Sequence, residues 1–509
     1  MRWIEKMKKS IRTWLNVEEA NPLEIRITES LDYEGNAVKN RIWYRGDSNE
    51  LQQLYEQISS NIDKSVDKYK FWASNSSKGM EIRKIHTGLP SMIIDMLASI
   101  ITGDLSSIDI DNAQCRDIWE NIEGENDFIK KLEKAVKETL YIGDGAFKIS
   151  YSQDISEYPI IEFFPGEKIE PVIKRDRLRA IKFKTAYFVK EKKYVLIEEY
   201  GYGYIKYKLM HNDKEVPLDT VEETAGLKDV AFAGCETDPE GNITKPGEYM
   251  MAVPIKFFES GKWEGRGQSV FDRKIDAFDA FDEVFSQWMD ALRAGRTNRY
   301  IPESLIPRGV NGELLKPNPF DNRFIKIADN MAENSQNKID VESPEIRHES
   351  YLQSYITALD LCLQGLISPS TLGIDVKKLD NADAQREKEK ATLYTRNAVI
   401  EALSTCIPKL VDSAVRTYAE LHEMSIESAD AIVNFGYYAN PSFESQVETV
   451  GKARTYKIMS IEASVEELHG DSKDDDWKKE EVMRLKEEQG IATLEEPAVN
   501  LEGVNIDDV

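Results

Sequence analysis

The clearest pattern of hydrophobic and polar positions lies between residues 264 and 300. Apolar residues recur there at helical spacing, and acidic residues form a second set spaced by four, three, four and seven positions. Both sets fit one helix of about seven turns, the central helix, which is predicted to begin near Ser269 after a turn around Gly265 and Gly267. The apolar set is Ile275, Phe278, Phe281, Phe285, Trp288 and Leu292, and the acidic set is Asp272, Asp276, Asp279, Glu283 and Asp290.

Four of these acidic residues, Asp272, Asp276, Asp279 and Glu283, form what we call the acidic stripe. Like charges at these spacings repel each other, so the stripe does not stabilise an isolated helix. Two interpretations stay open. The stripe is either an ordinary solvated helix face, or a carboxylate surface facing something that must not adhere. In both cases we expect its side chains to be at least half exposed in one subunit.

Helical patterns recur along the rest of the chain. A basic amphipathic helix is predicted at 1–16, where it either lies on a membrane surface or docks on its own chain or a neighbour. Residues 23–47 read as irregular or extended and 104–112 as a polar turn. Helices are predicted at 48–72, 79–101, 126–141, 346–366, 381–423 with a kink at Pro408, 443–458, 461–469 and 473–489.

The period changes to two between residues 146 and 216. Segments rich in Ile, Tyr, Phe and Val alternate with turns, which predicts one antiparallel sheet region of five to seven strands. A further short strand at about 252–258 leads toward the central helix. Residues 301–345 carry five prolines, which favours a small β or α/β insertion between two helices.

Composition adds a strong charge imbalance. The chain has 66 basic and 91 acidic residues, a net charge of -25. This argues against a protein that grips DNA and reads its sequence, but it is compatible with one that guides DNA without holding it. The four scattered cysteines, the lack of an apparent signal peptide and the short apolar runs predict a protein made in a reducing cytoplasm.

The sequence offers no arrangement of residues typical of catalysis. It contains no GxxxxGK[ST] phosphate loop, and its five histidines are far apart. Carboxylates are abundant, so a pair acting as acid and base stays open from the sequence alone. We therefore expect a protein that is not an enzyme and needs neither cofactor nor metal.

Several stretches, taken in order, resemble the portal proteins of tailed bacteriophages, in particular the portal family of long-tailed phages of Gram-positive bacteria. The similarity extends from about residue 40 to residue 490, and it lies in the order of the stretches. They are ETLYIGDGAFKISY (138–151) with IIEFFPGEKIEPV (160–172), the whole of 253–292, LISPSTLGID (366–375) with the helix from 382, and 437–468 with RLKEEQGI (484–491).

The resemblance implies an α+β portal fold and a ring, usually of twelve copies, at one vertex of the capsid. Its parts would be a helical and antiparallel-β wing, a helical stem, a small α/β clip, a kinked spine helix and a helical crown. The implied boundaries are 1–262 for the wing, 263–296 and 346–366 for the two stem helices, 297–345 for the clip, 367–380 for the tunnel loop, 381–423 for the spine and 424–489 for the crown. The resemblance does not cover the first 40 or the last 20 residues; the composition of 490–509 predicts a disordered acidic tail.

The resemblance also implies partners and a location. Double-stranded DNA would pass through the ring during packaging and ejection without its sequence being read. Terminase would dock on the clip, a head-completion connector protein would replace it, and major capsid and scaffolding proteins would surround the ring. The protein would be found in the virion, and in the host cytoplasm during assembly.

The tunnel loop contains the adjacent cations Lys377 and Lys378. Lysine makes mobile point-charge contacts with phosphate, so these two residues are predicted to face the DNA from a weakly packed loop. They could equally pair with the acidic start of the following helix. A different function is also open, namely a non-enzymatic scaffold that docks to a membrane or a partner through the basic N-terminal helix and the acidic tail.

Overall fold

The computed structural model describes residues 31–61, 71–72, 82–212, 214–239, 242–295, 298–306, 310–312, 324–328, 338–342, 345–374, 382–436, 443–469 and 475–488. The chain divides into two units, Met1–Phe435 and Gly436–Val509. It mixes helices with largely antiparallel sheets, so the α+β class is confirmed. The predicted N-terminal helix at 1–16 and the acidic tail at 490–509 lie outside the described residues. Each described helix is too short or too polar to span a membrane.

The helices of the first unit differ from the predicted ones mainly near the N-terminus. Residues 33–45 are helical rather than irregular, because Asp32 caps the helix start and Gly46, in the left-handed region, ends it. A helix at 113–126, capped by Asn112, was not predicted. The helices are α1 (Tyr33–Arg45), α2 (Ser48–Asn61), α3 (Leu89–Gly103), α4 (Ala113–Asn126), α5 (Phe128–Ile142), α6 (Ile275–Ala294), α7 (His348–Leu363) and α8 (Ala382–Leu421).

The strands between residues 144 and 216 form two sheets rather than the single sheet region predicted. A three-stranded sheet has the order β12-β2-β3, and a larger one has the order β4-β5-β6-β7-β8 with β9 beside β7. The strands are β2 (Asp144–Ser150), β3 (Ile160–Pro165), β4 (Ile169–Lys174), β5 (Arg177–Val189), β6 (Lys192–Gly201), β7 (Tyr204–His211), β8 (Lys214–Val216), β9 (Val230–Ala231) and β12 (Ala252–Lys256), with β10 (Glu236–Thr237) and β11 (Ile243–Lys245) as a separate pair.

The predicted polar turn at 104–112 is wrong. Its residues form strand β1 (Leu105–Ile110), which pairs antiparallel with β16 (Ala431–Phe435). This second strand also lies inside the segment that the resemblance assigns to a helical crown. The partner is more than three hundred positions away, so no local pattern could reveal the pairing.

The central helix, α6, begins at Ile275 and not near Ser269. Ser269 Oγ accepts from the backbone N–H of Phe271 at 2.9 Å, and the Ser269 N–H donates to Asp272 Oδ2 at 3.0 Å. These bonds hold a separate turn before the helix. Ser269 also donates to the carbonyl of Tyr141 at 2.6 Å, so the turn satisfies the free carbonyl end of α5.

Helices α6 and α7 pack side by side and run antiparallel. Lys274, just before α6, donates to the carbonyls of Leu361 and Gln364 at the far end of α7 (2.8 and 2.7 Å). At the other end, a Cβ placed on Gly295 would lie 2.4 Å from Ile346, just before α7. The aromatic rings that pack between the two helices are Phe281, Phe285 and Trp288 of α6 and Tyr355 of α7.

The chain between these two helices folds into a small sheet of its own. Its strands are β13 (Asn298–Pro302), β14 (Phe324–Ile327) and β15 (Asp340–Glu342), with β13 in the centre, parallel to β14 and antiparallel to β15. Among the described residues, these strands pair only with one another. The described residues of the predicted β or α/β insertion therefore form a β-sheet, and its strands do not join the sheets of residues 144–216.

Helix α8 runs for 40 residues and continues through Pro408 to Leu421. Its buried residues, including Leu403, Ile407 and Leu410, pack in the main core together with the three-stranded sheet and α3 to α5. The kink expected at Pro408 stays a prediction. In the second unit, α9 (Phe443–Thr455), α10 (Ile461–His469) and α11 (Asp475–Glu488) match the predicted tail helices closely.

A buried ion pair joins the three-stranded sheet to the loop that leads into α6. Arg266 Nε and Nη2 donate to the two oxygens of Asp144 at 2.9 Å each, and Tyr33 Oη donates to the same carboxylate at 2.7 Å. The backbone N–H of Gly267 adds a fourth bond at 2.8 Å. Arg266 also donates to the carbonyls of Gly166 and Ile169, so the pair connects four segments of the chain.

The same junction requires glycine at two positions. Gly143 has a φ of 126°, and a Cβ on Gly267 would lie 2.1 Å from the Gly143 carbonyl oxygen. The two backbones therefore cross at a distance that only glycine allows.

We expect Arg266→Ala to lower the free energy of unfolding by about 3–5 kcal/mol, because it leaves the buried Asp144 carboxylate without its cation. Urea denaturation followed by tryptophan fluorescence measures this effect. Arg273→Ala is the matched control, since Arg273 is exposed. Equal, small effects of both substitutions would contradict a structural role for the pair.

Candidate functional site

The predicted site residues of the central helix meet the N-terminal part of the chain. Asp272, in the turn before α6, accepts from the side-chain amides of Asn36 and Asn40 in α1 at 2.8 and 3.0 Å. Both amides are buried, and Asn40 is 0% exposed. A buried amide without a partner would be costly, so the Asp272 carboxylate fixes α1 against the entry of the central helix.

Asp279 lies just over one turn into α6 and is also turned inward. Its Oδ2 accepts from the backbone N–H of Phe71 at 2.9 Å, and only 6% of the residue is exposed. Burial raises the pKa of Asp279 to about 7, and the nearby charges of Asp282 and Glu283 act in the same direction, while the N–H of Phe71 opposes them. The carboxyl group is therefore partly protonated near neutral pH.

Asp282 is the most completely enclosed carboxylate of the helix. Its Oδ2 lies 2.7 Å from His86 Nδ1, and its Oδ1 accepts from the N–H and the hydroxyl of Thr87 at 2.9 and 2.8 Å. One turn further on, Ser286 Oγ accepts from the N–H of Ile85 at 2.9 Å. The extended segment before α3 is thus attached to α6 by side chains of the helix.

A carboxylate beside a histidine is also found in catalytic sites, but the surroundings of this pair differ from such a site. The side chains of His86 and Asp282 are 3% and 1% exposed. Trp43 and Trp72 pack edge-on to the imidazole, with ring centroids 5.6 and 6.5 Å away. A substrate cannot reach the ring without displacing these side chains. Within the described ranges, no group of His, Cys, Asp and Glu has the arrangement of a metal site.

The expectation that the acidic stripe is at least half exposed is wrong for Asp279. Asp276 is exposed, whereas Asp272 and Glu283 are partly buried, and Glu283 accepts from Gln287 Nε2 at 2.9 Å. The stripe therefore contains both structural acceptors and solvent-facing charges. Its spacing could not separate them, because the donors that bind Asp272 and Asp279 lie more than two hundred positions earlier in the chain.

Asp282 and Ser286 are the residues that the sequence patterns missed. They fall between the apolar and acidic positions of the central helix, and their partners are about two hundred residues away. The only sequence signal was weak: both are short polar residues of modest helix propensity inside an otherwise favourable helix.

Lys377 and Lys378 lie outside the described residues, so their predicted contact with DNA stays a prediction. The first part of their loop is described and is well packed. Ser368 and Leu372 are buried, and the Ser368 N–H donates to Thr392 Oγ1 of α8 at 2.8 Å. The expectation of a loop that is weakly packed throughout is therefore wrong for residues 368–374.

Asp279→Asn should flatten part of the pH dependence of stability. The pKa in the folded protein, about 7, lies above the ordinary value of about 3.9, so the folded state binds the proton more tightly than the unfolded state. The contribution of the Asp279 carboxyl group to the free energy of unfolding therefore falls as pH rises from about 4 to about 7 and is constant above that. The fall is about 4 kcal/mol at most, since one pKa unit corresponds to about 1.4 kcal/mol.

Chemical denaturation at a series of pH values between these limits measures the difference between wild type and variant. Asp276→Asn provides the control, because Asp276 is exposed on the same helix. The assignment fails if the two variants show the same pH profile.

Comparison with solved structures finds similarity to chains of gene transfer agent particles. One belongs to the neck of the native particle computed with C12 symmetry, with 12% identity, a TM-score of 0.40, and coverage of 75% of this chain and 91% of that chain. Chains from the virion of the native particle and from the neck of the empty particle computed with C6 symmetry each have 12% identity, a TM-score of 0.38, and coverage of 74% and 88%. No family model and no curated protein sequence matches the chain. Because these TM-scores are low, the functional proposal rests on the architecture of the chain itself.

Proposed function

We propose that this protein is the subunit of a portal ring at one vertex of a phage capsid, of the type found in long-tailed phages of Gram-positive bacteria. The ring forms the channel through which double-stranded DNA is packaged and ejected. It acts without catalysing a reaction and without a cofactor. Terminase and then a head-completion connector dock on it, and major capsid and scaffolding proteins surround it.

The observation that carries the proposal is the arrangement between residues 275 and 421. Two antiparallel helices, α6 and α7, are separated in sequence by a small sheet that pairs with itself, and a 40-residue helix follows. A portal subunit needs this order, since its paired helices line the channel while the insertion between them projects as the docking surface. The resemblance of the sequence predicts the same order of stem, clip, stem and spine.

The exposed part of the acidic stripe suits a DNA channel. Asp276 and Glu283 lie on α6 with solvent-accessible carboxylates, and twelve copies would repeat them around the ring. A surface with few cations displaces few counterions from DNA, so it binds the duplex weakly and lets it slide. We assign to Asp276 and Glu283 the role of facing the channel or a neighbouring helix of the ring. Asp272 and Asp279 act in holding the subunit together.

Microscopy of the purified protein tests the ring. Negative-stain images should show rings with a central hole, and mass photometry should find multiples of the 58.2 kDa chain, about 698 kDa for twelve copies. Monomers or dimers at high concentration would contradict the portal and favour the docking scaffold.

The two lysines of the tunnel loop provide a second test. Lys377→Glu with Lys378→Glu should leave ring assembly intact and reduce DNA packaging or retention, because the variant replaces phosphate-binding cations by anions. Packaged DNA per particle is the readout. If the double variant no longer assembles, the lysines are structural and their role in DNA contact is to be dropped.

A further inference from the structure

The hairpin between β4 and β5 carries a concentrated positive charge, which we call the basic tip: Lys174, Arg175, Arg177 and Arg179. All four residues are exposed, and the structure places none of them in an ion pair with a described residue. Two cations elsewhere on the same sheet differ. Lys182 binds Glu170 at 3.0 Å, and Lys184 binds Glu34 at 3.1 Å. The basic tip is therefore one of two places on this sheet where neighbouring exposed cations lack a described carboxylate partner; the other is the turn with Lys190, Lys192 and Lys193 at the opposite end of β5.

The backbone of the basic tip is unfavourable in several ways. Arg175 and Asp176 have φ angles of 53° and 57°, in the left-handed region where tight hairpins normally use Asn or Gly. Lys174 lies directly across from Arg177, and like charges in facing positions repel each other. Arg179 is the extra residue where the register shifts between Val172 and Ile173. Each feature costs stability, and together they place four cations at one end of the sheet.

The surrounding sequence and structure isolate this charge and hold it in place. Residues 169–216 contain 12 basic and 7 acidic residues, a net of +5 within a chain of net charge -25. The base of the hairpin is fixed, because Arg266 donates to the carbonyl of Ile169 at 3.0 Å. Local rules of structure are most often broken at sites where another molecule compensates the cost.

We propose that the basic tip binds the phosphate backbone of duplex DNA. This rests on the proposed function, which brings DNA to the protein. The duplex carries one negative charge per about 1.7 Å of its axis. Four closely spaced cations can therefore each meet a phosphate of DNA, whereas the carboxylates of a protein surface are more widely scattered. Arginine adds bidentate contacts to phosphate oxygens. The contact reads no base, so it binds DNA without selecting a sequence.

Binding of a short fluorescent duplex to the full chain, measured by anisotropy over a range of salt concentrations, tests the site. Log affinity falls as log salt rises. The variant Lys174→Ser, Arg175→Ser, Arg177→Ser, Arg179→Ser should make this slope shallower by about 3 to 4, since each lost phosphate contact reduces its magnitude by about 0.9. A control variant, Lys182→Gln, Lys184→Gln, Lys208→Gln, removes cations that already have carboxylate partners. It should change the slope by less than half as much.

The opposite end of β5 provides a second comparison. Its turn also has left-handed residues, Lys190 and Glu191, but the neighbouring Lys192 and Lys193 face Val189 and Phe188 rather than another cation. Lys190→Ser, Lys192→Ser, Lys193→Ser should therefore have a smaller effect on the slope than the basic-tip variant. The reverse order would overturn the assignment.

Two further results separate binding from structure. Arg175→Asn gives this left-handed position a residue that tolerates it and leaves Asp176 in place, so it should raise Tm while making the slope of log affinity against log salt shallower by about 1. A higher Tm with an unchanged slope would overturn the proposal. Loss of rings in the four-residue variant with unchanged DNA binding would also overturn it, and would identify a neighbouring copy as the anionic partner. If the wild type forms no rings, the proposed portal function is contradicted. The slope of log affinity against log salt tests the basic tip separately, because it is measured whether or not rings form.

Discussion

The fold of the first unit depends on the buried pair between Asp144 and Arg266. Charges removed from water are tolerated only when their hydrogen-bonding groups have partners. The partners of this pair come from several segments of the chain, so the pair joins those segments. Asp144 receives four bonds from Arg266, Tyr33 and Gly267, while Arg266 reaches the carbonyls of Gly166 and Ile169. One helix, two sheets and the entry of the central helix are thereby held in one orientation.

The central helix extends this way of joining segments through polar groups. Its inward face is not purely apolar, because Asp279, Asp282 and Ser286 accept bonds from backbone N–H groups of Phe71, Thr87 and Ile85. Phe71 lies in a turn and Ile85 and Thr87 in a segment without regular structure, and no described strand pairs with them. The helix supplies the acceptors that a sheet would otherwise give. Much of what looks like surface charge in its sequence is therefore part of the interior.

This division changes how the large negative charge of the chain relates to function. Carboxylates that bind N–H groups inside the subunit act at short range, whereas exposed ones such as Asp276 are open to solvent and, in the proposed ring, to DNA. The basic tip has the opposite character, since its cations are exposed and lack carboxylate partners in the described chain. A protein that is acidic overall can thus repel DNA along one surface and hold it at another, because screening confines each effect to about 10 Å at moderate salt.

The sequence by itself determined which segments are helices or strands where the pattern is long: the central helix, the 40-residue helix, the tail helices and the alternating strands from residue 146 onward. Such patterns are local and need no partner to be read. It also determined the order in which two helices flank a small insertion. Only the tertiary structure decided that residues 105–110 form a strand, that the alternating strands divide into two sheets, and that Asp279 is buried while Asp276 is exposed. Each of these depends on a partner one hundred to three hundred positions away, such as β16 for β1, β12 for β2 and Phe71 for Asp279. The spacing of residues fixes which side chains share a face, but the free energy of burying that face depends on what the rest of the chain brings against it.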